Sequence, residues 1–104
     1  MEIGQILNIK KYLPSKEDVV KLSSFFAGLS DFTRLKIVIL LTIKPHCVGD
    51  MVDILDINQT TISHQLQILK RLNIVGFERA GKNVYYYIAN RAVEEVLESV
   101  VDCV

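Results

Sequence analysis

Between Asn58 and Leu72 the sequence NQTTISHQLQILKRL gathers short or flat hydrogen-bonding side chains: Gln59, Thr60, Thr61, Ser63, His64 and Gln67. Each offers a donor, an acceptor or both on a short stem, which is the chemistry needed to match base edges in the major groove of a duplex. Lys70 and Arg71 follow, and Arg79 and Lys82 stand a few residues further on. These cations suit phosphate oxygens. Only Glu78 opposes them between residues 59 and 83, whereas residues 90–104 carry Glu94, Glu95, Glu98 and Asp102 against Arg91. The whole chain is neutral, with 12 basic and 12 acidic side chains, which argues against a generic polyanion binder. A locally cationic face on a neutral protein remains compatible with nucleic acid. A polar helix face alone is as often a solvated surface; its place in a larger pattern gives it weight.

That pattern comes from the elements around it. Ser15 with Asp18 three residues on starts a helix, in which Val19, Leu22, Phe26 and Leu29 recur at helical spacing before Gly28 and Ser30 break the run. Asp31 or Ser30 caps a second helix carrying Leu35, Val38, Ile39 and Thr42, with Lys44 at its end and Pro45 stopping it. This helix is apolar nearly all round, so it is expected to be the central, buried one. A short helix over 48–55 places Val48, Val52 and Leu55 on one face. Asp56-Ile57-Asn58 then turns the chain, and Asn58 caps the polar helix, whose Ile62, Leu66, Leu69 and Leu72 point to the core. Residues 74–79 and 83–88 are β-branched and aromatic around Ala80-Gly81-Lys82, a hairpin signature. Asn90 caps a last helix with a stripe of Val93, Val96, Leu97, Val100 and Val104.

The expected fold is mainly α with one β-hairpin, a winged helix-turn-helix in the order α-α-α-α-β-β-α. Two short helices joined by a tight turn, the second polar outside and followed by a basic hairpin, are the parts of that motif in the right order. The 104 residues fit a single domain, with 1–14 as an N-terminal arm and 90–104 as a C-terminal dimerisation helix. A domain this small buries only about two-thirds of its unfolded surface, so dimerisation would help it. Two cysteines, Cys47 and Cys103, are too few for a disulfide scaffold, and no leader or membrane span is read, so a cytoplasmic protein that does not enter the membrane is expected. There is no glycine-rich phosphate loop, metalloenzyme motif or nucleophile elbow, and adjacent Ser63 and His64 diverge on a helix; no enzyme is expected. The alternative is a winged-helix protein-interaction or dimerisation module without specific DNA binding.

Four segments, in order, resemble the ArsR/SmtB family of metal-responsive repressors. LSDFTRLKIVILL (29–41) is similar to the family's L(A/S)DPTRLRIL, with Phe32 where Pro is common. HCVGDM (46–51) is similar to ELCVGDL, QTTISHQLQILKRLNIV (59–75) to the family's recognition helix, and GKNVYYYI (81–88) to its wing. The resemblance spans residues 16–104. It implies a homodimer, formed through the first and last helices, that binds an inverted-repeat operator in double-stranded DNA and is released by an effector. The apolar stripes on both terminal helices fit such a dimer independently.

The family's effector sites are only partly represented. At the third helix, Cys47 matches a family cysteine, but Gly49 stands two residues on and the N-terminal arm has no cysteine. His46, Cys47 and Asp50 are near neighbours that offer a mixed donor set, short of the four ligands of a closed zinc site. At the last helix the matching positions are Asn90, Ala92 and Cys103, and only Cys103 is a strong ligand type. The resemblance therefore allows a transition-metal or metalloid effector (Zn, Cd or As) or a thiol-based switch, against the plain alternatives of a buried apolar Cys103, a loop His46 and a DNA-facing His64.

Overall fold

The computed structural model describes residues 2–103, apart from the side chains of Val101 and Cys103. Six helices and one hairpin follow in the order α1 (Ile3–Lys10), α2 (Lys16–Leu29), α3 (Phe32–Ile43), α4 (Val48–Leu55), α5 (Gln59–Arg71), β1 (Val75–Ala80), β2 (Asn83–Ile88) and α6 (Arg91–Cys103). Relative to the sequence reading, the arm holds an additional helix, α1; the remaining order is the expected one.

Local chemistry sets the boundaries. The backbone N–H of Asp18 donates to Ser15 Oγ at 3.2 Å, that of Arg34 to Asp31 Oδ2 at 2.9 Å, that of Thr61 to Asn58 Oδ1 at 2.8 Å and that of Ala92 to Asn90 Oδ1 at 3.0 Å. Each satisfies a donor that a helix start would otherwise leave free. Asp56, at φ 55°, ends α4 in the left-handed region, and Asn73, at φ 59°, does the same after α5. Gly81, at φ 63°, supplies the left-handed residue that a two-residue hairpin turn needs.

The core gathers around α3. Ile37, Val38 and Leu41 of α3 meet Met51 of α4, Ile62, Leu66 and Leu69 of α5, Ile74 and Val75 leading into the hairpin, and Val93 of α6. The sequence reading placed Val48, Val52 and Leu55 on the inner face of α4, and these are partly buried, but the fully buried residue is Met51. The expectation that α3 is covered all round holds for one side only, since Phe32 and Ile43 are 76% and 74% exposed. Gly28 does not break its helix: it lies buried within α2, and Ser30 caps the end. A Cβ at Gly28 would stand 2.4 Å from Leu72 Cδ1, so the Leu72 side chain uses the space that the glycine leaves and would have to shift if a side chain were added.

The hairpin pairs Val75 with Ile88 through Ala80 with Asn83. His46 adds a third, one-residue rung: its N–H donates to Tyr86 O at 3.1 Å, and Tyr86 N–H donates to His46 O at 2.9 Å. The α3–α4 connection is thereby tied to the hairpin. Helix α1 and the outer face of α2 are not covered by their own chain. No α1 residue is buried, and Ile3, Leu7, Leu22 and Phe26 are all exposed. The radius of gyration is 17.6 Å, against roughly 13 Å for a compact chain of this length.

Candidate nucleic-acid interface

Helix α5 is held from beneath and open above. Ile62, Leu66 and Leu69, spaced four and three residues apart, are buried in the core. The same periodicity turns Gln59, Thr60, His64, Gln67, Lys70 and Arg71 to solvent, while Thr61 and Ser63 are half-buried at the edges. The expected base-reading set thus lies along one helix, with four of its six members fully on the open side, and the phosphate candidates Lys70 and Arg71 follow, exposed, at the helix end.

The hairpin stands beside the C-terminal end of this helix. Lys70 Nζ lies 4.2 Å from the centre of the Phe77 ring, and Phe77 packs against Tyr86 with ring centroids 6.0 Å apart. This cation–π contact fixes the hairpin against α5, worth about 0.5–1 kcal/mol at an exposed site. Strand alternation puts Arg79 on the same face as Phe77, and Lys82 occupies the exposed turn. The four cations that the sequence reading assigned to phosphates therefore sit on two adjoining elements, all exposed. Gly76 makes room for the Tyr87 ring on the opposite face, where a Cβ would stand 2.7 Å from it.

The sequence reading missed a side-chain link between α3 and α5. Arg34 Nε donates to Gly28 O at 2.7 Å, and Arg34 Nη1 donates to Gln65 Oε1 at 3.1 Å. Gln65 is thus turned inward, away from the open face. No local signal marks this pair, since its members are 31 residues apart.

The effector candidates are less well assembled. His46 is buried, with Nδ1 3.8 Å from Asp50 Oδ2. Cys47 is the half-buried N-cap residue of α4, free, and its side chain makes no capping hydrogen bond. Among the described residues no three His, Cys, Asp or Glu side chains come together to hold a metal. Asn90 is engaged in capping α6, Ala92 is exposed, and the side chain of Cys103 lies outside the described residues. Among the described residues the donor set does not fit a closed metal centre.

A core-seated helix with a polar outer row, entered through a tight turn and flanked by a basic hairpin, defines a winged helix-turn-helix DNA-binding domain. Residues 31–76 match the model of the arsR family of bacterial regulatory proteins. A cadmium resistance transcriptional regulatory protein, CadC, of Listeria innocua is 42% identical over 82 residues, covering 78% of this chain and 69% of its own. A transcriptional repressor SmtB homolog of Synechocystis is 28% identical over 102 residues, covering 98% of this chain and 77% of its own. Among solved structures, the homodimeric winged helix-turn-helix DNA-binding domain Mb0332 of Mycobacterium bovis superposes with a TM-score of 0.72 at 27% identity, covering 88% of this chain and 90% of that one. The chain belongs to the ArsR family. Its relatives are transcriptional regulators, and none of its described helices is long and apolar enough to cross a membrane.

Proposed function

We propose that this chain is a transcriptional repressor that binds an inverted-repeat DNA operator as a homodimer. The observation that carries this is the outer row of α5, Gln59, Thr60, His64, Gln67 and Lys70, exposed on a helix whose other side is locked in the core. Gln67 and its neighbours would read bases, and Lys70, Arg71, Arg79 and Lys82 would hold phosphates on either side. The uncovered apolar faces of α1, α2 and α6 support a second copy as the partner, and two-fold symmetry would be mirrored in the operator. The names of the metal-responsive relatives and the half-buried thiol of Cys47 support release by a thiophilic metal ion or a thiol-reactive compound acting at α4. The His46–Tyr86 rung gives such an event a direct connection to the wing.

The test is selection of a duplex from a random pool by the purified protein, then anisotropy titration of the selected and a scrambled duplex at two salt concentrations. The reading expects the selected duplex to bind at least about a thousandfold more tightly. Equal, salt-governed binding to both would remove it.

A further inference from the structure

We propose that Arg34 and Gln65 form a positioning clamp that fixes the angle of α5 against α2 and so sets the half-site spacing the dimer accepts in DNA. The proposal rests on the repressor reading and adds to it a determinant of specificity that touches no base.

The clamp is built from three elements. Asp31 caps α3 and accepts the Arg34 N–H at 2.9 Å, which fixes the backbone from which the guanidinium projects. The guanidinium then spans two acceptors: the Gly28 carbonyl in the last turn of α2 at 2.7 Å, and Gln65 Oε1 on the flank of α5 at 3.1 Å. Only a forked donor can hold both at once, which a lysine ammonium on a flexible stem does poorly. Next to this bridge, the missing side chain of Gly28 admits Leu72, so the end of α2 is closed against the end of α5 at a second point. The core row of α5 seats the helix against α3 and α4, and the two contacts at Gly28, one polar and one steric, add a link from that seated helix to the end of α2.

The angle matters because the two ends of this assembly do different jobs. Helix α2 exposes Val19, Val20, Leu22 and Phe26 along its length, the surface expected against the second copy. Helix α5 carries the reading row. In a two-fold dimer the paired reading helices enter successive major grooves about 34 Å apart. A change of angle between α2 and α5 is repeated by symmetry in the other subunit, so the separation of the reading helices changes by twice the displacement of one. Arg34 and Gln65 therefore act through α5 as positioning residues.

The experiment uses the full-length dimer and the duplex selected by the wild type, remade with one and two base pairs added to or removed from the spacer. The readout is the ratio of affinities for the preferred spacing and the next best. Gln65→Met removes the acceptor on α5 at nearly constant size and is expected to lower that ratio about tenfold. Gln65→Glu keeps an acceptor for the guanidinium and is expected to retain the wild-type ratio, even where its charge lowers affinity for every duplex. Arg34→Lys gives a second reading should Gln65→Met fold poorly, and is expected to flatten the ratio in the same direction. Sedimentation and thermal melting of each variant accompany the titrations. An unchanged ratio in Gln65→Met, with affinity or melting temperature lowered uniformly, would overturn the clamp and leave an ordinary packing contact. A Gln65→Glu ratio as flat as that of Gln65→Met, or a wild type indifferent to spacing, would also overturn it. Failure of the repressor reading is distinguishable, since the wild type would then show no selected duplex before any variant is made.

Discussion

Neutralising the wing should halve the electrostatic part of DNA binding. Lys70 and Arg71 on α5, with Arg79 and Lys82 on the hairpin, are all exposed. A dimer presents each of them twice, so up to about eight phosphates are neutralised, and the slope of log affinity against log salt should be about −7. Raising salt from about 50 to about 200 mM should then weaken binding by about four powers of ten. Replacing both Arg79 and Lys82 by Gln removes four of the eight charges and brings the slope to about −3.6, so the same salt step costs only about two powers of ten. The fold should survive, because both side chains are exposed and Gly81 keeps the turn at φ 63°; surface changes of this kind stay within about 0.5 kcal/mol. Anisotropy titrations across a salt series measure the slope directly. An unchanged slope in the double variant would refute the placing of the wing on the DNA backbone.

Three further outcomes follow from the same geometry. Leu66→Ala empties a fully packed position beneath α5, and urea unfolding should show a loss of about 2–5 kcal/mol together with weaker specific binding. Phe26→Glu sets a charge in the uncovered face of α2, where Phe26 is 54% exposed; sedimentation should report a shift toward folded monomer, with unchanged helix content by circular dichroism. Cys47→Ser should leave operator affinity within about twofold while abolishing any release by a thiophilic metal ion or thiol reagent, since Cys47 makes no capping bond in α4; release that persists would place the effector elsewhere.

The parts of the fold legible in the sequence are those decided by local chemistry. Ser15, Asn58 and Asn90 were readable as caps, and Asp31 as one of two candidates with Ser30, because a short polar side chain before an apolar run can accept a free helix N–H; Asp31 accepts it and Ser30 ends α2 instead. Residues 48–55 and the α5 core row were readable from helical period. What escaped depends on partners distant in sequence. The arm gave no reason to expect α1, because its apolar residues find no cover within their own chain. Gly28 reads as a break, yet the helix continues through it, with Leu72 packed into the space of its missing side chain. Met51 is interchangeable with its neighbours in a pattern, and only the packing against α3 and α5 selects it for the interior. Arg34 and Gln65 belong to separate segments and meet only once α3 and α5 have packed. In the candidate site the exposed polar row of α5 was legible, whereas whether His46, Cys47 and Asp50 converge was not, since ligand convergence is a matter of side-chain direction.

The central claim is that the outer row of α5 reads sequence while the flanking cations only hold the backbone. The most direct measurement is the affinity of wild type and of a Gln59→Ala, Thr60→Ala, His64→Ala, Gln67→Ala variant for the selected duplex and its scrambled counterpart, at one salt concentration. With each lost base contact worth about 1–3 kcal/mol, the variant should bind the selected duplex no better than the scrambled one while keeping the wild-type affinity for the latter. A variant that still prefers the selected duplex as strongly as the wild type would contradict the assignment of α5 as the reader.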